Sequence, residues 1–200
     1  MEPGSQQRRG IVRRKAILDA AVELLLASGM AAITHRAVAD AAATPLGSIR
    51  YYFRTREALL LACLEFVESE RDAAAAEIVR AASDWTHPPP VETTAGLLVR
   101  SFMGPRLDDR TLRGTIGWLI DSAREGPALA ELLARQRRDI DIQLAAILDA
   151  AAYRGVSVAL LCSVMDGSLV SATVYAAEDV AHCVIDEVAQ LLGLFGQVDG

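Results

Sequence analysis

THRAVADAAATPLGSIRYYFRTRE, residues Thr34–Glu57, reads as two very short helices joined by a tight corner, with an aromatic and basic end. Thr34 suits an N-cap, because its hydroxyl can accept a bond from an amide that the first helical turn leaves unpaired. Val38, Ala41 and Ala42 recur at the i, i+3, i+4 spacing of one buried helix face. Thr44-Pro45 restarts the chain as cap and first helical residue, where proline's missing N–H removes no bond. The second helix, about Pro45–Phe53, is too short to be stable alone and must lean on its neighbours. Ile49 and Phe53 form its buried stripe, leaving Leu46, Gly47, Ser48, Arg50, Tyr51 and Tyr52 for other faces. Two short helices at a steep angle, the second displayed, make a helix-turn-helix.

Composition places this motif in an all-α chain. Of the 200 residues 52% are hydrophobic, ample for a core, and aromatics are few beside alanine and leucine, which favours helices over strands. No alternating β-branched run with hairpin punctuation occurs. The net charge of −6 hides an asymmetry: residues 1–56 carry nine Lys/Arg against four acids, and the remainder 11 against 22. A module of +5 on a body of −11 is an electrostatic footprint for a polyanion; a solvated basic tail is the plainer reading of the arginines alone. Cys63, Cys162 and Cys183, odd in number and without metal spacing, read as small buried hydrophobes in a reducing compartment. Without the apolar core of a signal peptide at its N-terminus, the chain is expected in the cytoplasm.

Residues 1–10, polar with Gly and Pro, read as a flexible basic arm. A first helix follows over about Ile11–Ser28, with Ile17, Ala21, Leu24 and Leu25 as its apolar face and Gly29 where a left-handed C-cap is wanted. Arg13, Arg14 and Lys15 at its start have the wrong sign for the helix dipole, which makes sense beside phosphate or at a solvated end. A fourth helix begins at the N-cap Thr55 and runs to about Ser83, long enough to leave the head and enter the body. Three prolines break the chain at Asp84–Pro90. Further helices read as Val91–Met103, Leu112–Arg124, Pro127–Tyr153, Val156–Ala177 and Asp179–Phe195. Asp166, Gly167 and three serines at the centre of the Val156–Ala177 segment argue against a membrane span. An apolar helix of this kind must instead be buried on most sides, and two such hairpins related by a two-fold axis make a four-helix bundle.

VADAAATPLGSIRYYF followed at once by RTREALL resembles the recognition helix and the start of the fourth helix of the tetracycline-repressor (TetR) type of bacterial transcriptional regulator. AILDAAVELLLASGMAAITHRA is similar to that family's first helix and its run-in to the second. The resemblance covers about the first quarter of the chain; beyond it only the architecture matches. It implies a helix-turn-helix DNA-binding domain at 11–56 and an effector-binding and dimerisation domain at 57–200. By position, Leu46, Gly47, Ser48 and Arg50 correspond to residues that approach bases, and Arg36 to one that reads bases in some relatives. Tyr51, Tyr52, Arg56 and Thr34 correspond to phosphate contacts. Dimerisation through the last two helices, about 156–195, would set two recognition helices about 34–36 Å apart on a pseudo-palindrome.

Two departures bear on these expectations. The family commonly has Gly at the corner where this chain has Ala43; a positive φ there would cost on the order of 1 kcal/mol. Arg50 replaces a common aromatic, and an arginine can bind guanine O6 and N7 through two hydrogen bonds.

In the body, Phe66, Phe102, Trp118, Asp121, Tyr153, Met165 and Asp166 are candidates to line an effector pocket, with core packing the competing role for each. The case rests on Asp121 and Asp166 as carboxylates in apolar surroundings, which need a partner or a ligand; Asp166 could also bond within a dimer seam. The resemblance implies a regulator, most simply a repressor, that a small molecule releases from double-stranded DNA. No cofactor, metal or enzyme activity is expected: no Glu-x-x-His pair, His-Glu-x-x-His or Gly-rich phosphate loop occurs. His182 and Asp186 share a face that Cys183 does not, a weak basis for a metal-binding helical enzyme. A helical interaction module without DNA binding is the other alternative.

Overall fold

The computed structural model describes residues 3–196. Among these the all-α reading holds: helices alternate with short links and no strand is present. They are α1 (Pro3–Ser28), a 3-10 turn (Met30–Ala32), α2 (His35–Ala41), α3 (Leu46–Tyr52), α4 (Arg56–Ala82), α5 (Val91–Met103), α6 (Asp109–Glu125), α7 (Pro127–Ala150), α8 (Val158–Val174) and α9 (Val180–Phe195). The chain divides into two compact units, one of residues up to Val67 with Gly117–Ala130, the other of Glu68–Ile116 with the residues from Glu131 on. The sequence boundary at 56–57 therefore falls short on α4 and does not anticipate the Gly117–Ala130 segment. No helix among the described residues is long and apolar enough to cross a membrane.

In the first unit α1 starts at Pro3, so residues 3–10, expected as an arm, continue the helix; residues 1–2 lie outside the described residues. Proline is well tolerated in a first turn, and the glutamines and arginines that follow are good helix formers. Ile17, Ala21 and Leu25 are fully buried at their i, i+4 repeats. The helix closes on Gly29, whose φ of 72° is left-handed and whose amide bonds Leu25 O at 2.8 Å.

Three other helices end the same way on alanine. After α2, α7 and α8, Ala43, Ala152 and Ala176 take φ values of 45°, 64° and 53°. Each is followed by a return bond: Thr44 N to Ala39 O, Tyr153 N to Leu148 O and Ala177 N to Ala172 O, all 2.9 Å. These are Schellman closures, which satisfy carbonyls the helix end would leave unpaired. They also explain why α7 and α8 stop before the Tyr153 and Ala177 ends read from the sequence. A left-handed alanine carries about 1–2 kcal/mol of strain, whereas glycine loosens the unfolded chain by about 0.4–1 kcal/mol. Ala43→Gly is therefore expected to stabilise the protein by about 0.5–1 kcal/mol in urea unfolding. A loss of stability would mean that this corner is not left-handed in solution.

The second unit is built on one core in which Leu98, Leu144, Ile147, Leu161, Met165, Val184, Val188 and Leu192 are almost wholly buried. α9 packs on α8 and α5. α6 starts three residues earlier than its apolar pattern suggests, because Asp108 caps it: its carboxylate accepts from Thr111 N at 3.0 Å and Thr111 Oγ1 at 2.7 Å. These bonds hold the Asp108 carboxyl below the usual aspartate range. The first turns of α6 also serve the α8–α9 corner. Arg113 donates to Ala177 O at 2.6 Å, and Asp109 accepts from Val180 N at 3.0 Å.

The three cysteines are free. Burial pushes the Cys63 thiol up to about 12 and the Cys162 thiol to about 11, while Cys183 is half-buried.

Candidate nucleic-acid interface

The helix-turn-helix is held from inside by some of the residues its spacing nominated; on α2 it is Val38 with Ala39 that is buried, while Ala41 is exposed and Ala42 half-buried. Val38, Ile49 and Phe53 are buried, and α2 packs on both α1 and α3. Thr34 caps α2, its Oγ1 accepting from Ala37 N at 3.1 Å, which leaves the hydroxyl proton to donate outward. The start of α3 differs from the sequence reading. Pro45 itself is the N-cap, with no side-chain bond, and Thr44 instead donates back to Ala42 O at 3.0 Å. The positive φ of Ala43 turns Thr44 toward the helix it leaves rather than the one it precedes.

A further tie had no local signal. His35 Nε2 donates to Phe53 O at 2.7 Å, joining the start of α2 to the end of α3 across 18 positions. Because a carbonyl only accepts, the ring proton sits on Nε2. Arg14 of α1 lies over the Phe53 ring, 5.3 Å from its centroid. Because α1 starts at Pro3, the Arg13-Arg14-Lys15 cluster lies about ten residues inside the helix and not at its end, so the expected conflict with the dipole falls away, and the cluster is packed in part against the end of α3. Lys15 pairs with Asp19 at 2.9 Å.

With its apolar stripe inside, α3 turns Leu46, Gly47, Arg50 and Tyr51 to the exterior, while Ser48 and Tyr52 are half-buried. Tyr51 is 80% exposed and stands edge-on to Tyr52, ring centroids 5.1 Å apart. No atom lies within 4 Å of where a Cβ on Gly47 would fall, so that backbone is open to close approach. Arg36 is exposed on α2. Beside these residues runs an open groove of about 1000 Å³, lined by Arg8, Arg9 and Arg13 of α1 together with Thr44, Tyr51 and Tyr52. Basic and phenolic donors along a channel are the groups that meet phosphate oxygens.

Arg56 is placed differently. Its Nε donates to Ile33 O at 2.9 Å, and Nη2 to Met30 O at 2.8 Å. Nη1 and Nη2 also meet the two Glu125 oxygens at 2.8 and 2.9 Å. All three nitrogens are engaged within the unit. The hydrogen bond holds the Glu125 carboxyl below the usual glutamate range and raises the Arg56 guanidinium.

The effector candidates are divided between the two units. Phe66, Trp118 and Asp121 belong to the first unit, and Phe102, Tyr153, Met165 and Asp166 to the second. Asp121, read as a carboxylate in apolar surroundings, is exposed, since its position on α6 falls off the face that buries Trp118 and Ser122. Asp166 is half-buried and paired: Arg137 of α7 donates to it at 3.3 Å while lying over the Phe102 ring. Tyr153 and Met165 are core residues. Among the described residues, the buried side-chain groups without a hydrogen-bond partner include Nε1 of one candidate, Trp118, and outside the candidates Ser101 Oγ, Gln136 Nε2, Ser168 Oγ and Thr173 Oγ1. His182 and Asp186 sit 3.3 Å apart on α9, and among the described residues no three His, Cys, Asp or Glu side chains converge as a metal site.

Residues 17–63 match the family described as bacterial regulatory proteins, tetR family. No curated relative matches the chain in sequence. Among solved structures, a TetR transcription regulator from Haloarcula marismortui ATCC 43049 is 15% identical, with 92% of this chain and 97% of that one covered at a TM-score of 0.73. FadR from Bacillus subtilis, a transcriptional regulator in complex with stearoyl-CoA, is 15% identical over 93% and 100% at 0.68. The multidrug binding protein EbrR, complexed with malachite green, is 25% identical over 93% and 99% at 0.60. Residues 17–63 thus match the N-terminal segment of the tetR family of bacterial regulatory proteins, and the chain shares its fold with solved TetR-type regulators.

Proposed function

We propose that this protein is a ligand-responsive repressor that binds a pseudo-palindromic operator as a homodimer and leaves it when a small molecule occupies the helical body. One observation carries the DNA-binding part. α3 buries Ile49 and Phe53 while turning Leu46, Gly47, Arg50 and Tyr51 outward beside an arginine-lined groove. A displayed helix with a close-approach glycine and a fork-shaped donor suits the major groove, where base edges are read. Thr34, Arg36, Leu46, Gly47, Ser48, Arg50, Tyr51 and Tyr52 form the contact set, with Thr34, Tyr51 and Tyr52 on phosphates.

Dimerisation through α8 and α9 is supported by what α8 leaves uncovered: Leu160, Val170 and Val174 are exposed on an otherwise apolar helix, as is Gly167 between them. Response to a small molecule is supported by the ligands of FadR and EbrR and by the orphaned polar groups of Ser101, Gln136 and Ser168 inside the body. Such groups are stabilised when a ligand supplies their missing bonds.

Selection of bound duplexes from a random pool tests this reading. It should return a pseudo-palindrome, and binding to it should fall steeply with salt as condensed counterions are released. On that duplex Arg50→Ala should relax preference at one base pair per half-site by about 1–3 kcal/mol. Uniform weakening with a flatter salt dependence would make Arg50 a phosphate contact instead.

A further inference from the structure

Arg56 is the first residue of α4 and Glu125 the last of α6. Each has the wrong sign for its helix end: a cation beside the partial positive charge of an N-terminus, an anion beside the partial negative charge of a C-terminus. Neither placement makes sense alone; the pair explains both. The guanidinium meets both carboxylate oxygens, a fork that fixes orientation as well as distance. Its remaining donors hold Met30 O and Ile33 O, the carbonyls on either side of the 3-10 turn that delivers Thr34 to the start of α2. One turn before Glu125, the fully buried Ser122 hydroxyl donates to Trp118 O at 2.7 Å and lies 3.2 Å from Met30 Sδ. The last turn of α6 thus grips this one link twice.

We propose that Arg56 is a positioning residue and not a phosphate contact: with Glu125 it ties the end of α6 to the link that sets α2, so the reading helices keep their operator-ready placement only while that end stays in place. The proposal rests on the DNA-binding reading above.

The test uses the full chain with Glu125→Gln and Arg56→Ala. Two quantities are measured: amide hydrogen exchange at residues 33–38 without DNA, and the salt dependence of binding to the selected duplex. Glu125→Gln should speed exchange at 33–38 and weaken duplex binding about tenfold, the scale of one lost charged hydrogen bond. Arg56→Ala should do the same, with the slope of log affinity against log salt unchanged. If Arg56 met phosphate, its removal from both subunits of the dimer would flatten that slope by about 1.8, which is about 0.9 for each lost contact. Freeing it by Glu125→Gln would then tighten binding. Either result, or exchange at 33–38 as slow as in the wild type, overturns the proposal. A wild-type protein that binds no duplex overturns the DNA-binding reading and this role together, whereas normal wild-type binding with exchange in the variants as slow as in the wild type isolates a failure of the tie alone.

Discussion

Arg71→Ala should destabilise the helical body by about 3–5 kcal/mol, the range for removing one partner of a buried ion pair. Arg71 of α4 is 5% exposed, which a guanidinium tolerates only when its donors are met. Two of its nitrogens meet the Glu68 carboxylate at 2.6–3.0 Å. The third donates to Ser101 O near the end of α5 and to Gln143 Oε1 of α7, both at 2.8 Å. Gln143 in turn donates to Asp72 at 2.7 Å. The neighbouring chain gives way to this side chain: Gly104 takes a φ of +96°, and a Cβ there would lie 3.5 Å from that of Arg71. Truncation leaves a carbonyl, an amide oxygen and a carboxylate without donors, and a void among α4, α5 and α7. Urea unfolding followed by circular dichroism measures the loss. Arg71→Met combined with Glu68→Gln should recover much of it, because both charges leave together and the volume is kept. A loss below about 1 kcal/mol for Arg71→Ala would mean that the network behaves like a solvated surface pair.

Val170→Glu should separate the proposed dimer and lower operator affinity by about 10²–10⁴-fold, the gain that linking two reading heads supplies. On α8 the exposed positions Leu160, Ser163, Gly167, Val170 and Val174 repeat at spacings of three and four, the period of a helix seam that receives a partner. Val170 is 40% exposed, so a carboxylate there reaches water in a lone subunit and disturbs its fold little. Within a paired seam two such carboxylates would face an apolar surface and each other. Sedimentation should report a monomer with unchanged helicity, and the selected duplex should be held only weakly. A variant that stays dimeric and keeps wild-type affinity would remove α8 from the interface.

The head was largely legible in the sequence, the body only in outline. Ile49, Phe53 and the Thr34 cap follow from spacing and residue type within a single short stretch, and the left-handed φ of Ala43 met the condition that the resemblance raised, its family commonly having Gly at that corner. Ala152 and Ala176 close their helices in the same way, but an alanine in an alanine-rich run carries no mark of it, so α7 and α8 were read too long. Arg56 and Glu125 lie 69 positions apart. Arg56 stands in the sequence as a phosphate contact implied by the resemblance and Glu125 just beyond the expected end of its helix, and nothing local to either marks the pairing. Asp121 differs for a related reason: apolar neighbours in sequence do not fix which way a helical residue faces, and it is exposed. Asp166 meets the kind of partner that its apolar surroundings call for, an arginine from α7.

Two thiols held protonated in the interior have a use that their packing alone does not suggest. At neutral pH almost none of either is thiolate, the form that alkylating reagents attack, and Cys63 and Cys162 are both fully buried. Cys63 belongs to the first compact unit and Cys162 to the second. Each half of the molecule therefore carries its own built-in reporter of transient opening, and modification at one or the other tells which half came apart.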